Sequence, residues 1–207
     1  MSRIIAFCGR AGAGKTTAAR RLVAAHGFVR APFAAALKTM LATLMRVQGA
    51  DEDEIAELID GAAKEDRCRY LAGASARRAM QTLGTEWGRA IDTDFWVKVW
   101  RASLPDAPRI VVDDLRFANE ANAVHDMGGL VVRIDRPDVR SLDALAAAHA
   151  SEALAGVAPD RVIVVGGPFE NLWEQVDELA SGRAPPKAST RPMPPALAEI
   201  IESARWD

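Results

Sequence analysis

Gly9-Arg10-Ala11-Gly12-Ala13-Gly14-Lys15-Thr16 reads G-x-x-x-x-G-K-T, the pattern of a phosphate-binding P-loop. Ile4 to Cys8 before it reads as a buried strand, and Thr16-Thr17-Ala18 opens a helix. Three glycines in six residues let the backbone curl into a nest of N–H groups. The helix behind them aims its positive end at the same point, so an anion is held from two sides. Lys15 is placed to reach β- and γ-phosphates and Thr16 to offer its hydroxyl to Mg²⁺. The stretch from Gly9 to Thr17 is therefore the candidate nucleotide-binding element. The bland alternative is a Gly-rich turn with a solvated lysine.

The 207 residues fit one α/β domain with an appendage, and 49% hydrophobic residues supply a full core. A net charge of −2 argues against a protein that coats nucleic acid. No apolar run approaches a membrane span, and the N-terminus enters a strand directly, so no signal peptide is expected. Cys8 and Cys68 lack metal-ligand spacing and read as reduced core residues, which points to the cytoplasm. Further strands are expected at 28–30, 109–114, 130–134 and 161–165, with helices between them. That alternation predicts a parallel sheet with helices on both faces.

Between the second and third strands, residues 33–100 form a mostly helical insert. Phe33, Leu37, Met40, Leu41, Leu44 and Met45 recur at helical spacing. Asp51 caps a helix with an acidic first turn. Ser75 caps another, expected to stop near Gly84. Asp94 caps a third, whose apolar face is Phe95, Trp96, Val99 and Trp100. The insert carries Lys38, Arg77, Arg78, Gln81 and Arg89, donors for an anionic acceptor; a solvated face is the alternative for 77, 78 and 81. The third strand ends in Asp113-Asp114, where an acid can serve a metal bound at Thr16. Arg116 follows at the same sheet edge, where ligands of open parallel sheets bind. Arg133 near the end of the fourth strand is followed by Arg136 and Arg140, in a region read as a lid over about 135–158 that excludes water. The domain is read as 1–181. Residues 182–207 form a Pro-rich linker and a short helix, which packs on its own domain or on another subunit, as in a homodimer.

Taken together, several motifs resemble the deoxynucleoside monophosphate kinases of bacteriophages. They are the P-loop, Arg77-Arg78-Ala-Met80-Gln81-Thr-Leu83-Gly84-Thr85, Asp94-Phe-Trp96-Val97-Lys98, Asp114-Leu-Arg116 with Glu120, Arg136-Pro137, and His149-Ala-Ser151-Glu152. The similarity runs in order from about residue 3 to 180. It implies a P-loop kinase three-layer sandwich, with a five-stranded parallel sheet ordered 2-3-1-4-5 and a helical acceptor-binding insert. It also implies ATP- and Mg²⁺-dependent conversion of dNMP to dNDP for DNA precursor supply, in the host cytoplasm if phage-encoded. Carried onto this sequence, Lys15, Arg116, Arg136 and Asp114 are the catalytic set, with Thr16 and Asp114 on the metal. Acceptor contacts fall to Lys38, Arg77, Arg78, Gln81, Thr85, Trp87, Arg89, Arg116, Glu120 and Arg140. Trp87 and Tyr70 are the aromatics available to pack under the sugar. Two other readings stay open. One is a kinase for another small acceptor, of dephospho-coenzyme A or sugar kinase type, which needs a carboxylate base. The other is a non-catalytic nucleotide-binding protein.

Overall fold

The computed structural model describes residues 3–136, 154, 156–166 and 170–182. Its order is β1 (Arg3–Cys8), α1 (Lys15–His26), β2 (Val29–Arg30), α2 (Ala35–Val47), α3 (Glu52–Ile59), two 3₁₀ turns (Ala62–Glu65, Arg69–Leu71) and α4 (Ala76–Gln81). A π-helical stretch (Thr82–Gly88) then leads into α5 (Arg89–Ile91) and α6 (Phe95–Ala102). The chain continues through β3 (Arg109–Val112), α7 (Ala118–Asp126), β4 (Leu130–Asp135), β5 (Arg161–Val164) and α8 (Glu170–Ser181). All pairings are parallel and the sheet order is β2-β3-β1-β4-β5, as the resemblance implied.

β1 is apolar on both faces because both are covered. Ile5 and Phe7 pack with Val111, Val132 and Ile134 under α1 and α8. Ile4, Ala6 and Cys8 pack with Ile110, Val112 and Val131 under α6 and α7. This alternation follows from the pleat. Gly27 closes α1 in the left-handed conformation at φ +66°, its N–H bonded to the Leu22 carbonyl. The insert has its own core of Leu41, Met45, Ile55, Ile59, Cys68 and Tyr70. Both cysteines are free and buried.

The insert departs from the sequence reading in three places. Residues 33 and 34 precede α2 rather than belonging to it, and their N–H groups bind a side chain from after β3. The helix capped by Ser75 does not stop at Gly84; it widens into the π-helical stretch and runs on to Ile91. Trp96 Nε1 donates to the Gly84 carbonyl at 2.9 Å, and the Thr85 hydroxyl donates to the Gln81 carbonyl. Intrusions of this kind draw carbonyls out of the ordinary i→i−4 ladder. On α6, Trp96, Val97 and Trp100 are the buried residues, while Phe95 and Val99 are half-buried. Asp94 sits at the N-cap position, but its carboxylate accepts from Asn119 Nδ2 at 2.8 Å instead of capping.

Most of the expected lid, with Arg140, His149 and Glu152, lies outside the described residues. So do the expected linker and helix beyond residue 182.

Candidate active site

The turn after β1 forms the cradle that its glycines require. Gly9 has φ +138°, and a Cβ there would stand 2.3 Å from the Ile134 carbonyl oxygen of β4. Only glycine passes this close to the neighbouring strand. Gly14 is the N-cap of α1 at φ +105°. The first turn of α1 contains no acidic residue, so no carboxylate of its own offsets the positive end of its dipole. Lys15 Nζ reaches back to the carbonyls of Gly9 and Arg10, at 2.7 and 2.8 Å.

Lys15 and Thr16 border a cavity of about 550 Å³. Its floor is the carboxyl edge of β2 and β3, with Arg30, Asp113, Asp114 and Arg116. Asp113 is 3% exposed and accepts from Arg30 Nε at 2.9 Å. Asp114 accepts the N–H groups of Phe33 and Ala34, one on each oxygen, both at 2.9 Å. Burial raises its carboxyl above the usual range, with the Asp113 charge adding and the two N–H groups opposing.

The facing wall is the insert. Lys38, Arg77, Gln81, Thr85 and Arg89 all border the cavity. Lys38 is paired with Asp60 and Arg77 with Glu65. Arg89 lies 3.7 Å over the Phe117 ring and bonds to Thr93 O and Asn119 Oδ1. It also reaches Glu120 Oε1 at 3.3 Å. Glu120, 5% exposed, takes the N–H groups of Arg116 and Phe117 on its other oxygen, at 2.8 and 3.1 Å. Burial pushes its carboxyl up to about 7, opposed by those N–H groups and by Arg89. Eight cationic side chains border the cavity against four carboxylates, which suits a multiply anionic occupant.

Most of the anticipated catalytic and acceptor residues thus meet in one place; of the loop, Ala11, Gly12, Lys15 and Thr16 border the cavity, while Gly9, Arg10, Ala13, Gly14 and Thr17 do not. Arg78 and Trp87 do not border the cavity; Trp87 packs on Phe95 and Trp96 instead. Tyr70 is buried in the insert core with its hydroxyl on Glu54. Arg136 borders a separate small hollow with Arg10, Ala13 and Asp135. Sequence reasoning missed Arg30, Lys64 and Phe117, and it read Trp96 and Phe33 as core only; all five border the cavity. Arg30 stands at the carboxyl end of a strand, the same signal that singled out the two acids.

Among the described residues no group of three or more His, Cys, Asp or Glu side chains could hold a metal. Mg²⁺ needs no such cage: it takes one or two carboxylates and completes its shell with phosphate oxygens and water. The Thr16 hydroxyl and the acid pair after β3 border the same cavity, and that donor set fits the ion of a bound nucleotide.

A protein of Acanthamoeba polyphaga mimivirus, named provisionally as a deoxynucleotide monophosphate kinase, is 29% identical over 189 residues, covering 84% of this chain and 93% of its own. Two solved structures are similar in outline at 17% identity. TT1252 from Thermus thermophilus has a TM-score of 0.44, with 88% of this chain and 99% of that one covered. An unliganded sugar kinase from Janibacter sp. has a TM-score of 0.39, with 89% and 96% covered. The profile of the deoxynucleotide monophosphate kinases matches residues 64–176, more than half the chain, and the matched segment holds Arg77, Gln81, Thr85 and Arg89 of the insert wall, the acid pair and Arg116. This chain belongs to the deoxynucleotide monophosphate kinase family, phosphotransferases that act on nucleotides.

Proposed function

We propose that the protein transfers the γ-phosphoryl group of ATP, as its Mg²⁺ complex, to the 5′-phosphate of a deoxynucleoside monophosphate, supplying DNA precursors. The observation that carries this reading is a single cavity bordered by Lys15 and Thr16 on one side and by Arg77, Gln81 and Arg89 on the other. A donor and an acceptor phosphate can then meet over Arg116 and the acid pair.

The attacking atom is a phosphate oxygen, already ionised at neutral pH, so no general base is needed. Catalysis becomes positioning and charge neutralisation. Lys15 and the N–H groups from Gly9 to Thr17 hold the donor phosphates. Thr16 with an acid from the pair after β3 would hold Mg²⁺, which would supply positive charge to the phosphates. Arg116 faces the phosphates at the transfer point, and Arg136 approaches from the β4 side. Lys38 and Arg77 exchange their carboxylate partners for the acceptor phosphate, and Gln81 and Thr85 read the base. Residues 1–181 make up the kinase domain.

The test is a panel of dNMPs, NMPs and hydroxyl acceptors with ATP and Mg²⁺, with the products separated. Formation of dNDP and ADP from at least one dNMP is expected. Phosphorylation of a hydroxyl acceptor alone, or of nothing, overturns the reading.

A further inference from the structure

The two acids after β3 belong to opposite faces of the sheet. Along β3, Val111 packs under α1 and α8, whereas Ile110 and Val112 pack under α6 and α7. The hydrogen bonds of the two acids carry this division past the strand end. Asp113 is bonded to Arg30, the residue in register with Val111. Asp114 is bonded to the backbone of Phe33, a member of the α6–α7 side of the core. α1, which carries Lys15 and Thr16 at its start, covers the first face. Asp113 therefore shares a side of the sheet with the P-loop helix, and Asp114 does not.

Their hydrogen bonding divides them further. Each oxygen of Asp114 is committed to a backbone N–H ahead of α2, so this side chain does for α2 what a capping residue does. On Asp113 the Arg30 guanidinium takes Oδ1, which orients the carboxylate, and among the described residues no hydrogen bond falls on Oδ2; the residue borders the cavity.

We infer that Asp113, rather than the Asp114 expected from the sequence, is the acid on the metal side of this kinase. Arg30 is its positioning partner, and Asp114 is a positioning residue for the start of α2. The inference rests on the proposed use of ATP and Mg²⁺ and names the residue that performs it.

ATP binding measured by titration calorimetry, in Mg²⁺ and in EDTA, tests this without turnover. The wild type should bind ATP more tightly with Mg²⁺. Asp113→Asn should lose about 10- to 100-fold of that advantage, with binding in EDTA unchanged or tighter. Asp114→Asn should keep the Mg²⁺ advantage but melt at a lower temperature. Removing one partner of the Arg30–Asp113 pair can itself unfold the chain, so the double variant Arg30→Gln/Asp113→Asn is measured beside it and should show the same loss. A Mg²⁺ advantage that survives in both Asp113 variants, or that disappears only in Asp114→Asn, overturns the assignment. A wild type that binds ATP equally with and without Mg²⁺ overturns the proposed cofactor use itself, a distinguishable result.

Discussion

Glu120 shows how far a contact residue can stand from the contact expected of it. Its oxygens are occupied by the Arg116 and Phe117 N–H groups and by Arg89, so it shapes the turn that presents Arg116. Burial holds its carboxyl near 7 against an ordinary 4.5. The folded state thus keeps the proton more tightly than the unfolded chain does. Its contribution to stability is complete below about 4.5 and is lost as the pH rises through about 7. Glu120→Gln cannot ionise, so the advantage of the wild type over this variant should shrink between pH 5 and pH 8 in urea unfolding; a constant difference would contradict the burial effect. Gln81 borders the cavity and carries both a donor and an acceptor. Gln81→Ala should raise KM for the dNMP by about 10-fold, the worth of one hydrogen bond, and leave KM for ATP alone; equal changes in both would remove it from base reading. Lys15 and Thr16 were legible because the P-loop is local in sequence. Arg30 and Phe117 were not, because their places in the cavity depend on strand pairing and on a turn fixed by a residue three positions later. Trp87 was misplaced because spacing alone does not say which side of a widened helix an aromatic takes.

At the scale of elements, the stretch from Ala76 to Ile91 forms the acceptor wall, and its geometry depends on contacts from α6. A Cβ on Gly88 would fall 2.2 Å from Trp96 Nε1, and that indole is buried and bonded to Gly84 O. The conflict is with a packed ring, not with backbone conformation, since Gly88 has φ −65°. Gly88→Ala should therefore cost about 1–3 kcal/mol, as overpacking does, and lower the melting temperature by several degrees. An unchanged midpoint would mean that the indole yields freely. The sequence marked Gly84 as a helix stop because glycine usually is one. The carbonyl that Trp96 captures supplies a different use for that glycine, and no local pattern announces it.

For the whole molecule, the parallel sheet was legible from the alternation of apolar runs and helices. The order β2-β3-β1-β4-β5 followed only from the resemblance, because periodicity does not say which strands adjoin. That order brings β1 and β3 together, and with them the P-loop and the acid pair. The donor side is built from β1 and α1 and the acceptor side from the insert, so the two substrates should not compete. Each ligand at 100 times its Kd stabilises a fold by about 2.7 kcal/mol. ATP and a dNMP together should raise the melting temperature by at least the sum of their separate shifts. A smaller joint shift would show that they share one subsite.

The widened turn between Thr82 and Gly88 also bears on chain length. A π turn holds one residue more than an α turn. If Glu86, which is exposed there, were deleted, the turn could close to ordinary pitch. Gln81 and Arg89 would then be seven steps apart, about 700° around the axis and within about 20° of two full turns. Arg89 would keep facing the cavity, so the deletion should leave a folded protein that still binds dNMP. A deletion within α4 or α6 has no such slack and should abolish folding. Expression and circular dichroism of the three deletions would separate these outcomes. Relatives that differ by one residue in this stretch can accordingly preserve the same acceptor wall.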